Sequence, residues 1–119
     1  VSNISDGTLR FLCLLSIFYN SKQGNLICID EPEIGLHPVM INIISGVVEE
    51  TSLNIQIIVS THSDLFLNAF TVDKFLVFEK SDNNETKINK FTDKQFKKWT
   101  EEYACGKLWL EGDIGGVRW

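Results

Sequence analysis

Two carboxylates stand side by side at the end of an apolar run. Leu26-Ile27-Cys28-Ile29 leads into Asp30 and Glu31, and Pro32 separates these from a third acid, Glu33. Adjacent acids at a strand end repel one another and resist desolvation, so the pair suits a task that uses a cation or a proton transfer. In a nucleotide hydrolase the first such carboxylate helps to hold Mg²⁺ and the second polarises the attacking water. The same residues also read as a strand that ends in a charged turn. A second group, Ser5-Asp6-Gly7-Thr8, puts two hydroxyls and a glycine at the start of a helical stretch. Backbone N–H groups and the helix dipole favour an anion there, although on the pattern alone Ser5 is more simply an ordinary N-cap. The third candidate is His62, which follows the β-branched-rich run 55–59 inside the polar cluster Ser60-Thr61-His62-Ser63-Asp64. A lone histidine at a strand end is more often structural than catalytic.

Elements of an α/β protein place these groups. Residues 8–19 are rich in helix formers and apolar almost all round from Phe11 to Phe18, which predicts a helix buried on most sides, with Ser5 and Asp6 as cap candidates. The run 26–29 predicts a short strand covered on both faces. A loop over 33–37 precedes Pro38, whose missing N–H is harmless in the first turn of a helix. Met40, Ile43, Ile44, Val47 and Val48 then form one buried stripe. With a second strand over 55–59 the order is strand, helix, strand. This predicts a parallel unit whose ligands gather at the carboxyl ends of the strands, where both polar clusters lie. Beyond a short helix at 64–70, residues 74–80 and 86–91 read as a hairpin around Ser81-Asp82-Asn83-Asn84. Residues 93–104 read as an amphipathic helix with Phe96, Trp99 and Tyr103 on one side and Lys94, Lys97 and Lys98 on the other. The stretch 106–119, with Trp109 and Trp119, predicts no regular element.

The chain has 119 residues, 44% of them apolar and 23% charged, enough for one folded domain or a piece of one. Disordered and collagen-like classes are excluded. The formal net charge is -5, and all of it falls in residues 1–70, since residues 71–119 balance nine basic against nine acidic side chains. No overall basic field draws the chain to nucleic acid or anionic lipid. Cys13, Cys28 and Cys105 are too few and too scattered for a disulfide framework or a paired zinc site, which fits reduced thiols in a cytoplasmic protein. The longest apolar run, 11–15, cannot span a bilayer. The absence of an initiator Met and of an opening element leads us to expect a fragment, or the second half of a larger domain.

Order and spacing join the three groups: Asp30 lies 25 residues after Ser5, and His62 lies 32 after Asp30. This layout resembles the later half of an ABC-type ATPase head, a P-loop NTPase fold. Ser5-Asp6-Gly7-Thr8-Leu9-Arg10 is similar to the signature motif and 26–32 to the Walker B motif. Residues 33–37 resemble the D-loop, and Ser60-Thr61-His62-Ser63 the H-loop. Glu31-Pro32-Glu33-Ile34-Gly35-Leu36-His37-Pro38 resembles the RecF-like and predicted AAA ATPase branch in particular. The resemblance covers about residues 2–92, expected to be the C-terminal portion of the ATPase domain, with 93–119 a helical extension and tail. It implies a mainly parallel sheet flanked by helices, Mg²⁺ held with the help of Asp30, Glu31 as catalytic base, and His62 on the γ-phosphate. It also implies that Ser5 and Gly7 contact the ATP of a partner subunit, in a homodimer that meets through the signature and D-loop, with Gly35, Leu36 and His37 along the interface. Asp6 and Thr8 depart from the commoner signature residues.

No G-x-x-x-x-G-K-[ST] loop occurs, because Glu101 stands where the first glycine would be and Leu108 where the hydroxyl would be. ATP and Mg²⁺ are therefore expected to bind only together with an N-terminal half that carries Walker A. Three rival readings remain. One is a transition-metal site from Glu31, Glu33, His37 and His62, opposed by the stiffness of Glu-Pro-Glu. Another is a non-catalytic, nucleotide-gated interaction module. The third is action on DNA in repair or defence, for which Lys94, Lys97 and Lys98 beside Phe96 and Trp99 are the only local support.

Overall fold

The computed structural model describes residues 4–20 and 24–90, together with Lys107, Leu110 and Glu111. The chain divides between Ala69 and Phe70 into two compact units. In the first, helix α1 (Asp6–Phe18) is followed by strand β1 (Leu26–Asp30), helix α2 (Pro38–Thr51), strand β2 (Gln56–Ser60) and the short helix α3 (Asp64–Leu67). Each helix starts where its cap chemistry dictates. Ser5 accepts from the Thr8 N–H, His37 caps α2 with Pro38 in its first turn, and Ser63 accepts from the Phe66 N–H. The strands β1 and β2 are parallel neighbours in register, Leu26 opposite Gln56 and Asp30 opposite Ser60. They therefore end side by side.

Helix α2 packs against both α1 and α3. The core of this unit is Leu14 and Phe18 from α1, Ile41, Ile44, Val47 and Val48 from α2, and Phe66 from α3. The α2 stripe is rotated from the expected one: Ile41 and Ser45 are buried, Met40 is half-buried, and Ile43 is 47% exposed. The helix has apolar residues at 40, 41, 43 and 44, so two overlapping stripes are available, and packing selects the one that contains a serine. Ser45 is tolerated because its hydroxyl donates to the Ile41 carbonyl at 2.8 Å, leaving no unsatisfied group.

Two expectations of burial give way. On α1 only Leu14 and Phe18 are buried, while Leu9, Leu12 and Ile17 are exposed. On the sheet, Ile27, Ile29, Ile57 and Val59 are half-buried, but the opposite face, with Leu26, Cys28 and Ile58, lies open. A βαβ unit puts its crossover helix on one face only, and the described residues provide no second layer.

In the second unit, a 3-10 turn at Val72–Lys74 precedes an antiparallel hairpin of β3 (Leu76–Lys80) and β4 (Thr86–Lys90). The first strand thus begins two residues later than expected. The Ser81 N–H donates to the Glu85 carbonyl, the Ser81 hydroxyl accepts from the Glu85 N–H, and Asn84 takes the left-handed backbone its residue type tolerates. On one face Asn89 donates to Glu79 at 2.7 Å, and the other exposes Leu76, Phe78 and Ile88. Lys107, Leu110 and Glu111 are helical, where the sequence predicted no element, and Lys107 and Glu111 form an i,i+4 ion pair. The helix expected over 93–104, the expected boundary at 92 and Trp109 and Trp119 lie outside the described residues. Among the described residues no helix is long and apolar enough to cross a membrane.

Candidate functional site

The parallel register brings the polar residues after β1 and β2 to one edge. Asp30 closes β1 and its carboxylate accepts a hydrogen bond from the hydroxyl of Ser60, its opposite number on β2. The Glu31 N–H donates to the Ser60 carbonyl at 3.0 Å, one step past the end of the ladder. Glu31 then turns the chain off the sheet with φ of 44°. A left-handed backbone in a residue with a Cβ costs about 1–2 kcal/mol, and such residues gather at functional sites. Neighbouring interactions hold it in place. The Glu31 carbonyl accepts from Arg10 Nη2 at 3.0 Å and from the Ile34 N–H at 3.3 Å, and Pro32 is fully buried.

Across the edge, His62 Nε2 lies 3.7 Å from Glu31 Oε1, with the imidazole 71% and the carboxylate side chain 33% exposed. The separation exceeds a direct hydrogen bond. Two candidates that the sequence separates by 31 positions thus share one small, solvent-accessible place, while the Asp30 carboxylate is bonded to Ser60.

Sequence reasoning assigned no role to Glu33, Thr61 or Arg10 in holding this place. Glu33 Oε1 accepts from Thr61 Oγ1 at 2.5 Å and from the His62 N–H at 3.3 Å. Its Oε2 is buried without a partner, a penalty of about 1–3 kcal/mol. The signal available for Glu33 was its place in the stiff Glu-Pro-Glu turn. For Thr61 it was a hydroxyl one residue before the histidine.

The first turn of α1 approaches the same loop. A Cβ on Gly7 would stand 2.5 Å from the Gly35 carbonyl oxygen, so the helix start and the loop touch backbone to backbone. Gly35 has φ of 74°, a conformation that glycine takes without strain. Ser5 Oγ is 2.8 Å from Thr8 Oγ1 and receives the Thr8 N–H, so the cap reading holds for its present geometry. Arg10 ties α1 to Glu31, while Ser5 itself sits at the helix tip and makes its contacts with Thr8. His37 Nδ1 accepts from the Val39 N–H at 3.3 Å as the α2 cap. Among the described residues no three His, Cys, Asp or Glu side chains cluster as a metal site would need, which removes the geometric basis for the four-residue transition-metal reading. Cys13 and Cys28 are free and exposed.

A parallel pair with its acids at the strand ends, a crossover helix and a capped helix ahead of it form an α/β unit whose fold is that of P-loop ATPase heads. The chain belongs to the family described as "AAA domain, putative AbiEii toxin, Type IV TA system", whose model matches residues 1–68. It is similar to a structure from work on ATP-driven dimerization and DNA stimulated activation of SMC ATPases, with 21% identity and a TM-score of 0.65 over 83% of this chain and 61% of that one. It is also similar to an SMC head bound to the C-winged helix domain of ScpA, with 21% identity and a TM-score of 0.68 over 80% of this chain and 29% of that one. The chain therefore spans less than two thirds of the length of either structure's chain. No curated protein sequence matches it.

Proposed function

We propose that the chain supplies the catalytic half of an ATP-hydrolysing site, with Walker A contributed by an N-terminal half. The observation that carries this reading is the approach of Glu31 to His62 at the common end of β1 and β2, the end at which Asp30 closes β1. In the family the fold belongs to, these positions are base, γ-phosphate contact and Mg²⁺ ligand. Glu31, one third exposed and held by backbone bonds on both sides, would accept a proton from water as it attacks. His62 presents its Nε2 toward the same place and can donate to a phosphate oxygen. Asp30, an exposed carboxylate beside a serine hydroxyl, fits the hard, water-rich coordination of Mg²⁺ better than that of zinc. The ion, when bound with ATP, would neutralise charge on the phosphates.

Ser5 and Gly7 would meet the nucleotide of a second subunit across a homodimer interface that also includes Gly35, Leu36 and His37. The close approach of Gly7 to Gly35 supports this, because it brings the stretch that resembles the signature motif against the stretch that resembles the D-loop. The similar SMC ATPases undergo ATP-driven dimerization, which favours the same assembly here. Their DNA stimulated activation, together with the toxin wording of the family description, makes DNA a partner worth testing in repair or defence. The open sheet face would be covered by the N-terminal half.

The test is ATP hydrolysis by the chain mixed with its N-terminal half, wild type against Glu31→Gln. Activity that needs both halves and falls by at least about 100-fold in the variant, while ATP stays bound, supports the reading. Bound ATP with no hydrolysis in either sample would favour a nucleotide-gated interaction module.

A further inference from the structure

Glu33 has no part in the reaction just described, yet its carboxylate joins the two loops that carry Glu31 and His62. Oε1 receives the Thr61 hydroxyl at 2.5 Å and the His62 backbone N–H at 3.3 Å. Thr61 Oγ1 in turn accepts from the Ser63 N–H at 3.0 Å. The backbone is therefore gripped at His62 itself and at the residues on either side of it. On the other loop, Glu33 is fixed relative to Glu31 by a tight turn. The Ile34 N–H donates to the Glu31 carbonyl, the Leu36 N–H donates to the Glu33 carbonyl, and Pro32 between them is fully buried.

Little else fixes the imidazole. Its side chain is 71% exposed, and an exposed contact of 3.7 Å to Glu31 is too long and too well solvated to hold a ring in place by itself. The place from which the ring reaches toward Glu31 thus follows from where the backbone of residues 61–63 stands. Charge-assisted bonds to a carboxylate are about twice as strong as neutral ones, which makes an acid the effective residue for this grip.

We propose that Glu33 is a positioning residue that clamps the loop after β2 so that His62 stands against Glu31. What the positioned pair accomplishes rests on the ATPase reading above; the clamp itself does not.

The experiment has two arms, each with Glu33→Ala, Glu33→Gln and Thr61→Val. In the first, amide exchange at His62 and the ring signals of His62 are followed by NMR in this chain. In the second, kcat and KM for ATP are measured after assembly with the N-terminal half. In Glu33→Ala we expect His62 amide exchange to accelerate about tenfold and the ring signals to move toward those of an unrestrained histidine. In the same variant kcat should fall about 10- to 100-fold with KM nearly unchanged, as misplacement of a reacting group requires. Glu33→Gln keeps an acceptor oxygen of nearly the same shape but not the charge and should restore both in part, and Thr61→Val should fall between wild type and Glu33→Ala.

A mere structural brace would lower the urea midpoint yet leave the His62 signals and kcat per folded molecule at wild-type values; that result overturns the proposal. Should the wild type hydrolyse nothing, the ATPase reading fails alone. The NMR arm still decides on the clamp.

Discussion

Glu31 combines two properties that pull against each other. Its side chain faces His62, while its backbone occupies a left-handed conformation that its own Cβ disfavours. The conformation persists because Ser60, Arg10 and Ile34 each bond to its peptide groups. If the strain is borne for the sake of the side chain, removing the side chain should release it. Glu31→Gly is accordingly expected to unfold at a urea concentration equal to or above that of wild type, with a gain of up to about 1 kcal/mol. On the ATPase reading proposed above, it should also lose hydrolysis after assembly with the proposed N-terminal half. Destabilisation by more than about 1 kcal/mol would mean that the carboxylate contributes more through its contacts than the backbone costs.

Helix α2 gives the test at the scale of an element. Its apolar residues permit two stripes, and Ile41 and Ile43 belong to different ones. Ile41 is 8% exposed and Ile43 47%. The same chemical change at the two positions therefore separates them. Ile41→Ala should cost about 2–4 kcal/mol and Ile43→Ala less than about 1 kcal/mol, read from urea unfolding. The reverse order would restore the stripe read from the sequence. Much of this element was legible beforehand. Pro38 marked its start, and the acids Asp30 and Glu31 marked the end of the strand before it. Its rotation was not legible, because hydrophobic periodicity defines a stripe only when apolar residues are confined to it, and here they also occupy the flanks.

For the whole molecule, the open faces matter most. In the first unit Leu26, Cys28 and Ile58 share an uncovered sheet face, and Leu9, Leu12 and Ile17 stand exposed on α1; in the second, Leu76, Phe78 and Ile88 do the same on the hairpin. Apolar surface of this kind marks a place for another surface. Cys28 reports directly on the sheet face. With Cys13 and Cys105 changed to serine, Cys28 should react readily with a thiol reagent in this chain and at least about tenfold more slowly once the proposed N-terminal half is added. Equal rates in the two states would mean that the half docks elsewhere. In the chain alone, Ile58→Lys should reduce self-association measured by sedimentation, since a charge on that face must be desolvated whenever two copies meet.

By itself the sequence determined the class of fold and the residues with chemical potential, because both depend on local order. An apolar run that ends in acids, a proline after a polar loop and a serine before a helix carry their meaning within a few positions. It also placed Asp30, Glu31 and His62 at strand ends, and the strands do end there. Only the tertiary structure decided that Glu31 and His62 lie within 3.7 Å, that Glu33 ties their loops together through Thr61, and that Gly7 rests on Gly35. These contacts join residues 28 to 31 positions apart. They follow from strand register and helix packing, which sum over many side chains and leave no mark on any single stretch. The exposed faces belong to the same category: a pattern of apolar residues states that a surface will be covered, whereas what covers it is set by the rest of the assembly.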